Sequence, residues 1–110
     1  MTEPENAGAA SRGGVARLAA GEIEKMIRGV PDWTLMEGAI EREFHFGDFR
    51  SAIEFVDKVA DLAEEEEHHP DIFVFYNKVR LILSTHKVGG LSRKDFVLAE
   101  KIKRLAYRET

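Results

Sequence analysis

Between Phe49 and Ala63 the apolar residues fall at Phe49, Ala52, Ile53, Val56, Val59, Ala60 and Ala63, an i, i+3, i+4, i+7 repeat held for four turns. Phe55 and Leu62 widen the stripe, and Asp48 stands where a helix N-cap belongs. A helix this long and this one-sided must bury its stripe against something. The segments on either side of it read as strands, so the helix should lie across a sheet as the main core helix.

Before it, residues 1 to about 14 are small, polar and Gly-rich and are expected to form a disordered tail, leaving one domain over 15–110. Ile23, Met26, Ile27 and Val30 recur at helical spacing, so a first helix is predicted from near Ala19 to Arg28, stopped by Gly29 and Pro31. Trp33–Met36 and Ala39–Phe46 read as strands joined at Glu37-Gly38, with Ile40, Phe44 and Phe46 on one face and Arg42 breaking the pattern. His45 falls on the opposite face with Glu41 and Glu43, where a solvated histidine belongs.

After the main helix, proline at position 70 disfavours helical geometry in His69 and so ends the helix at His68-His69-Pro70. Ile72–Tyr76 and Val79–His86 form a second predicted hairpin across Asn77-Lys78, its register left open because Lys suits a tight turn poorly. The strand over 72–76 is apolar on both faces, which calls for burial on both sides or for a subunit contact. Gly89-Gly90 turns the chain into a last helix, with Ser92 and Asp95 as a capping-box pair and Leu91 placed to staple against Phe96. Phe96, Ala99, Ile102 and Ala106 supply its apolar face. The expected fold is α+β: a single domain in the order helix-strand-strand-helix-strand-strand-helix, a four-stranded antiparallel sheet with helices on one face.

At 110 residues the chain has room for one modest core. Its 44% apolar and 33% charged residues are those of a soluble globular protein. A net charge of −4 argues against nucleic acid as a partner. With no cysteine there is neither a disulfide nor a thiolate metal site. No apolar run approaches the ~20 residues that cross a bilayer, and no signal-peptide h-region opens the chain, so no membrane contact and a cytoplasmic location are expected.

The chemistry concentrates between residues 64 and 95. Three of the four histidines lie there, His68, His69 and His86, with the acidic run Glu64–Glu67 before the pair and Asp95 after the last. Imidazole both gives and takes a proton near neutral pH, its unperturbed pKa being about 6.5. Brought together from different elements, three imidazoles would serve proton transfer. From residue types alone, the preferred reading makes His68-His69 a helix terminus and His86 a strand end, and a solvated helix end explains most of the four carboxylates.

The string itself carries a resemblance. Glu64 through His68-His69-Pro70, then Tyr76-Asn77-Lys78-Val79, Leu83-Ser84-Thr85-His86 and Gly90-Leu91-Ser92 to Asp95 resembles the signature of the pterin-4a-carbinolamine dehydratases. Asp32-Trp33 with Glu37-Gly38, and Phe44-His45-Phe46 with Asp48-Phe49, extend the match more weakly, so that it spans roughly residues 18 to 106. Ile72 departs from the family's usual aromatic residue and Val74 from its common polar one.

The resemblance implies a dehydratase that removes water from 4a-hydroxytetrahydropterin to give quinonoid dihydropterin, recycling the pterin of aromatic amino-acid hydroxylases. It implies His68, His69 and His86 as catalytic acid–base groups. Glu64, Ser84, Thr85 and Asp95 would bind or orient, Glu64 by reaching His68 four residues on if the helix persists, and Ser84 and Thr85 through their backbones. No cofactor and no metal is implied. Three histidines and a carboxylate can hold zinc, but the His69-to-His86 gap fits no common short zinc motif. Expected partners are the pterin carbinolamine, further copies of the chain as a homodimer or homotetramer, and an aromatic amino-acid hydroxylase as functional partner. The rival expectation, also from the family, is an interaction module that stabilises a partner's dimer, with or without dehydratase activity.

Overall fold

The computed structural model describes residues 15–105 together with Tyr107 and Glu109. The expected N-terminal tail over 1–14 and the apolar contribution of Ala106 lie outside the described residues. The element order is α1 (Ala20–Ile27), β1 (Thr34–Met36), β2 (Ala39–His45), α2 (Phe49–Glu66), β3 (Asp71–Phe75), β4 (Lys78–Leu83) and α3 (Arg93–Lys103). The four strands make one antiparallel sheet in the order β1-β2-β4-β3. The chain is thus the α+β domain its pattern predicts.

Period-two alternation decides which sheet face is covered. Ile40 and Phe44 of β2 and Val79, Leu81 and Leu83 of β4 have no exposed surface, and they pack under Ala52, Phe55 and Val59 of α2 and Leu98, Ala99 and Ile102 of α3. Ile23, Met26 and Ile27 of α1 cover the same core from the side. Arg42, the residue that interrupts the β2 pattern, stays on the covered face because its guanidinium lies 4.3 Å over the Phe44 ring and meets Glu109 at 3.1 Å. Near it Tyr107 packs on Phe44, Phe46 and Phe55; burial there pushes its phenol above the usual range. His45 is the solvated strand residue expected, 3.0 Å from Glu43.

Several local expectations needed correction. In α2 the buried line runs Ala52, Phe55, Val59, Ala63, while Phe49 and Ala60 are exposed. Phe49 sits in the first turn ahead of the buried line, and Ala60 is rotated about 100° from Val59 off the contact face. The second hairpin closes between Phe75 and Lys78, so its turn is Tyr76-Asn77, with Tyr76 at φ 54°. Asn77 is used sideways instead: its amide donates to the Phe46 carbonyl at 3.0 Å, and its own carbonyl accepts the Phe46 N–H at 2.9 Å. β3 is an edge strand, not buried on both faces within the chain, and Phe73, Val74, Phe75 and Tyr76 are exposed. β4 stops at Leu83. His86 opens a short 3-10 turn, His86–Val88, closed by Gly89 at φ 67°, a left-handed conformation that glycine takes without a Cβ clash. Among the described residues, no helix is long and apolar enough to cross a membrane.

Candidate active site

Helix α2 ends at Glu66, two residues before His68, and so does not reach the His68-His69-Pro70 stop expected from the sequence. Glu67 adopts a left-handed conformation (φ 53°, ψ 41°), and its N–H and that of His68 turn back onto the carbonyls of Ala63 and Glu64. The chain therefore leaves the helix axis at Glu67, before Pro70 can act. This reversal sends successive side chains apart. The His68 imidazole goes inward, with 10% of its side chain exposed, and that of His69 goes outward, with 62% exposed.

Inward, His68 Nε2 lies 2.6 Å from Asp95 Oδ1, at the first turn of α3. Asp95 has no exposed surface. Its other oxygen, Oδ2, accepts the Thr85 hydroxyl at 2.8 Å and the Ser92 backbone N–H at 3.0 Å. The Ser92 hydroxyl in turn accepts the Lys94 N–H at 3.2 Å and lies 2.7 Å from Thr85 Oγ1. The predicted capping box is present, and the same carboxylate that caps α3 also holds a histidine from the end of α2. The Thr85 hydroxyl and the Ser92 N–H hold Oδ2 in place while Oδ1 faces the His68 ring. Asp95 thus orients His68 from behind.

Outward, His69 Nε2 lies 2.6 Å from Glu64 Oε2, with both groups largely exposed. The expected reach of Glu64 to His68 is not made, because the helix that would stack i on i+4 ends at Glu66. His69 and His68 meet His86, Ser84 and Thr85 across a cleft of about 260 Å³. Glu67, Lys87, Lys94 and Val15 complete its lining. Glu64 and Asp95 do not line it. The Thr85 backbone is bonded within the fold, its N–H to the Gly90 carbonyl at 2.8 Å and its carbonyl to the Val88 N–H at 3.0 Å, and its hydroxyl is bonded to Asp95. Lys87, Lys94 and Glu67 were missed by the sequence reading. Their charge gave no signal among so many exposed ionic residues, although Lys94 stands directly beside the capping carboxylate. Among the described residues, no three His, Asp or Glu side chains are grouped so as to hold a metal ion.

The chain is a small α+β domain in which a buried carboxylate backs a histidine beside an open cleft that two further histidines line. The family model described as pterin 4 alpha carbinolamine dehydratase matches residues 16–105. The chain belongs to that family. It is 44% identical over 92 residues to the proposed pterin-4-alpha-carbinolamine dehydratase of Thermomicrobium roseum, covering 84% of this chain and 99% of that one. It is 52% identical over 82 residues to a second such protein, from Gloeobacter violaceus, covering 71% and 89%. Among solved structures it resembles a transcriptional coactivator/pterin dehydratase from Brucella melitensis, with a TM-score of 0.75 and 35% identity over 79% of this chain and 95% of that one. It shares only its fold with a pterin dehydratase-like RuBisCO assembly factor of the alpha-carboxysome, at TM-score 0.53 and 22% identity over 64% of this chain and 81% of that one.

Proposed function

We propose that the chain dehydrates a 4a-hydroxytetrahydropterin to the quinonoid dihydropterin, and so recycles the cofactor of aromatic amino-acid hydroxylases. The observation that carries this reading is the buried Asp95–His68 pair beneath a cleft whose walls bring His69 and His86.

The reaction needs two proton movements and no oxidant. The carbon–oxygen bond at C4a breaks with its electron pair on oxygen, which a general acid protonates so that water leaves. The proton on the neighbouring ring nitrogen passes to a base, and the freed electron pair closes the C=N bond. Each well-placed group is worth ~10² to 10⁴ in rate. With Nε2–H donated to Asp95, the neutral His68 ring keeps its lone pair on Nδ1, so Nδ1 is the atom that takes the proton. His69, steered by Glu64 at the rim, and His86, on the facing wall, supply the acid and hold the departing hydroxyl. Neither role requires a cofactor.

The test is a coupled assay. During pterin-dependent phenylalanine hydroxylation, the pure protein should speed formation of quinonoid dihydropterin. No acceleration at stoichiometric protein would defeat the reading. A second reading, an interaction module that stabilises a partner's dimer, is favoured by the exposed apolar edge β3 and by the coactivator designation of the Brucella relative. A stoichiometric protein partner recovered without any carbinolamine turnover would select it.

A further inference from the structure

The charge around the cleft is opposite to that of the chain. The protein carries a net −4, yet the cleft's rim is formed by Lys87 and Lys94 against a single carboxylate, Glu67. Lys94 also borders an adjoining hollow of about 130 Å³, where Arg17 and Arg93 add two more cations. The carboxylate there, Glu22, is already bound to the Ala19 N–H at 3.1 Å. Among the described residues, no carboxylate pairs with any of these four cations.

The arrangement is held by the backbone. Gly90 accepts the Thr85 N–H in the turn that presents His86 and Lys87, and a Cβ at position 90 would come within 3.1 Å of Arg17 Nε. Glycine at that position lets the guanidinium lie against the turn, alongside the histidine cleft. Unpaired cations around a concave site focus a field that draws in negative charge.

We infer that the site takes a pterin whose side chain ends in an anionic group, a phosphate ester or a carboxylate, lying over Lys94 with Lys87 beside it. This rests on the pterin reading above and narrows its substrate class. The histidines act on the ring, and the lysines select its substituent.

Equilibrium binding by pterin fluorescence tests it without turnover, using 6-hydroxymethylpterin, its phosphate ester and pterin-6-carboxylate. Two charge pairs, one at the exposed Lys87 and one at the half-buried Lys94, should favour the phosphate ester over the neutral ligand by roughly five- to tenfold at low salt. The preference should collapse near 1 M salt, where the screening length is about 3 Å. It should vanish in Lys87→Gln/Lys94→Gln and persist in Lys94→Arg. A matching gain for the carboxylate ligand would assign the effect to charge alone, and its absence would assign it to phosphate geometry. Equal binding of all three ligands overturns the inference, as does a preference that survives the double substitution. Turnover of a neutral carbinolamine with no anionic preference would sink this inference alone. Anionic preference with no dehydration of any pterin would sink the dehydratase reading alone, and failure of every pterin to bind would sink both.

Discussion

Asp95→Asn separates the two tasks that one carboxylate performs. The Ser92 N–H can only donate, so the new amide must turn its oxygen to the Oδ2 position, 3.0 Å from that nitrogen. The amide NH₂ then takes the Oδ1 position, 2.6 Å from His68 Nε2. Facing a donor, Nε2 must accept, which moves the ring proton to Nδ1 and aims the lone pair away from the cleft. The Thr85 hydroxyl can rotate onto Ser92 Oγ, already 2.7 Å away, so no buried group is orphaned. Three charge-assisted bonds become neutral ones, at a cost of about 1–2 kcal/mol. For a domain of this size, that lowers the melting temperature by about 5–10 °C. Losing the base in its working tautomer should lower kcat by about 10²-fold. Asp95→Ala would instead leave the Ser92 N–H buried and unpaired and cost about 2–4 kcal/mol. Thermal melting, the dehydration rate per folded molecule, and ¹⁵N NMR of the His68 ring check the three claims. Unchanged turnover in folded Asp95→Asn would reduce the residue to a helix cap and refute the base assignment.

His68→Ala and His69→Ala should each cut turnover at least tenfold with the fold intact, and His86→Ala should weaken it as well; the dehydration assay on each variant decides, and unchanged kinetics for both adjacent variants would leave the reaction without its acid and base. The protein should assemble as at least a dimer, because β3 presents an unpaired edge with Phe73, Phe75 and Tyr76 exposed; light scattering at micromolar concentration should give at least twice the chain mass, and a monomer mass refutes it. Asp48 accepts the Ser51 N–H at 2.8 Å, and that backbone hydrogen bond holds its carboxyl below the usual 3.8. A depressed folded-state pKa stabilises above the unfolded value and is lost as pH falls through the folded one. The destabilisation caused by Asp48→Ala, measured by chemical denaturation, should therefore be full near pH 7 and shrink below about pH 3.8; a gap that widens on acidification would contradict the cap.

Much of the fold was legible because it rests on interactions only a few residues apart in the chain. Apolar spacing set the extent of α2 and α1, Asp48 and Ser92 marked helix starts, Glu37-Gly38 marked a turn, and alternation put Val79, Leu81 and Leu83 on the buried face. The histidine block was likewise visible as a block, since the resemblance rests on a contiguous string. What the sequence could not decide was which carboxylate serves which histidine. Spacing pointed Glu64 at His68, but the left-handed Glu67 ends the helix and rotates the pair, giving Glu64 to His69 and His68 to Asp95. That second pairing joins residues 27 apart in the chain, and it exists only because α3 docks beside the end of α2. Lys87 and Lys94, which pair with no carboxylate among the described residues, line the cleft for the same reason. A charge acquires its role from what surrounds it, and those surroundings are assembled by packing that brings distant segments together.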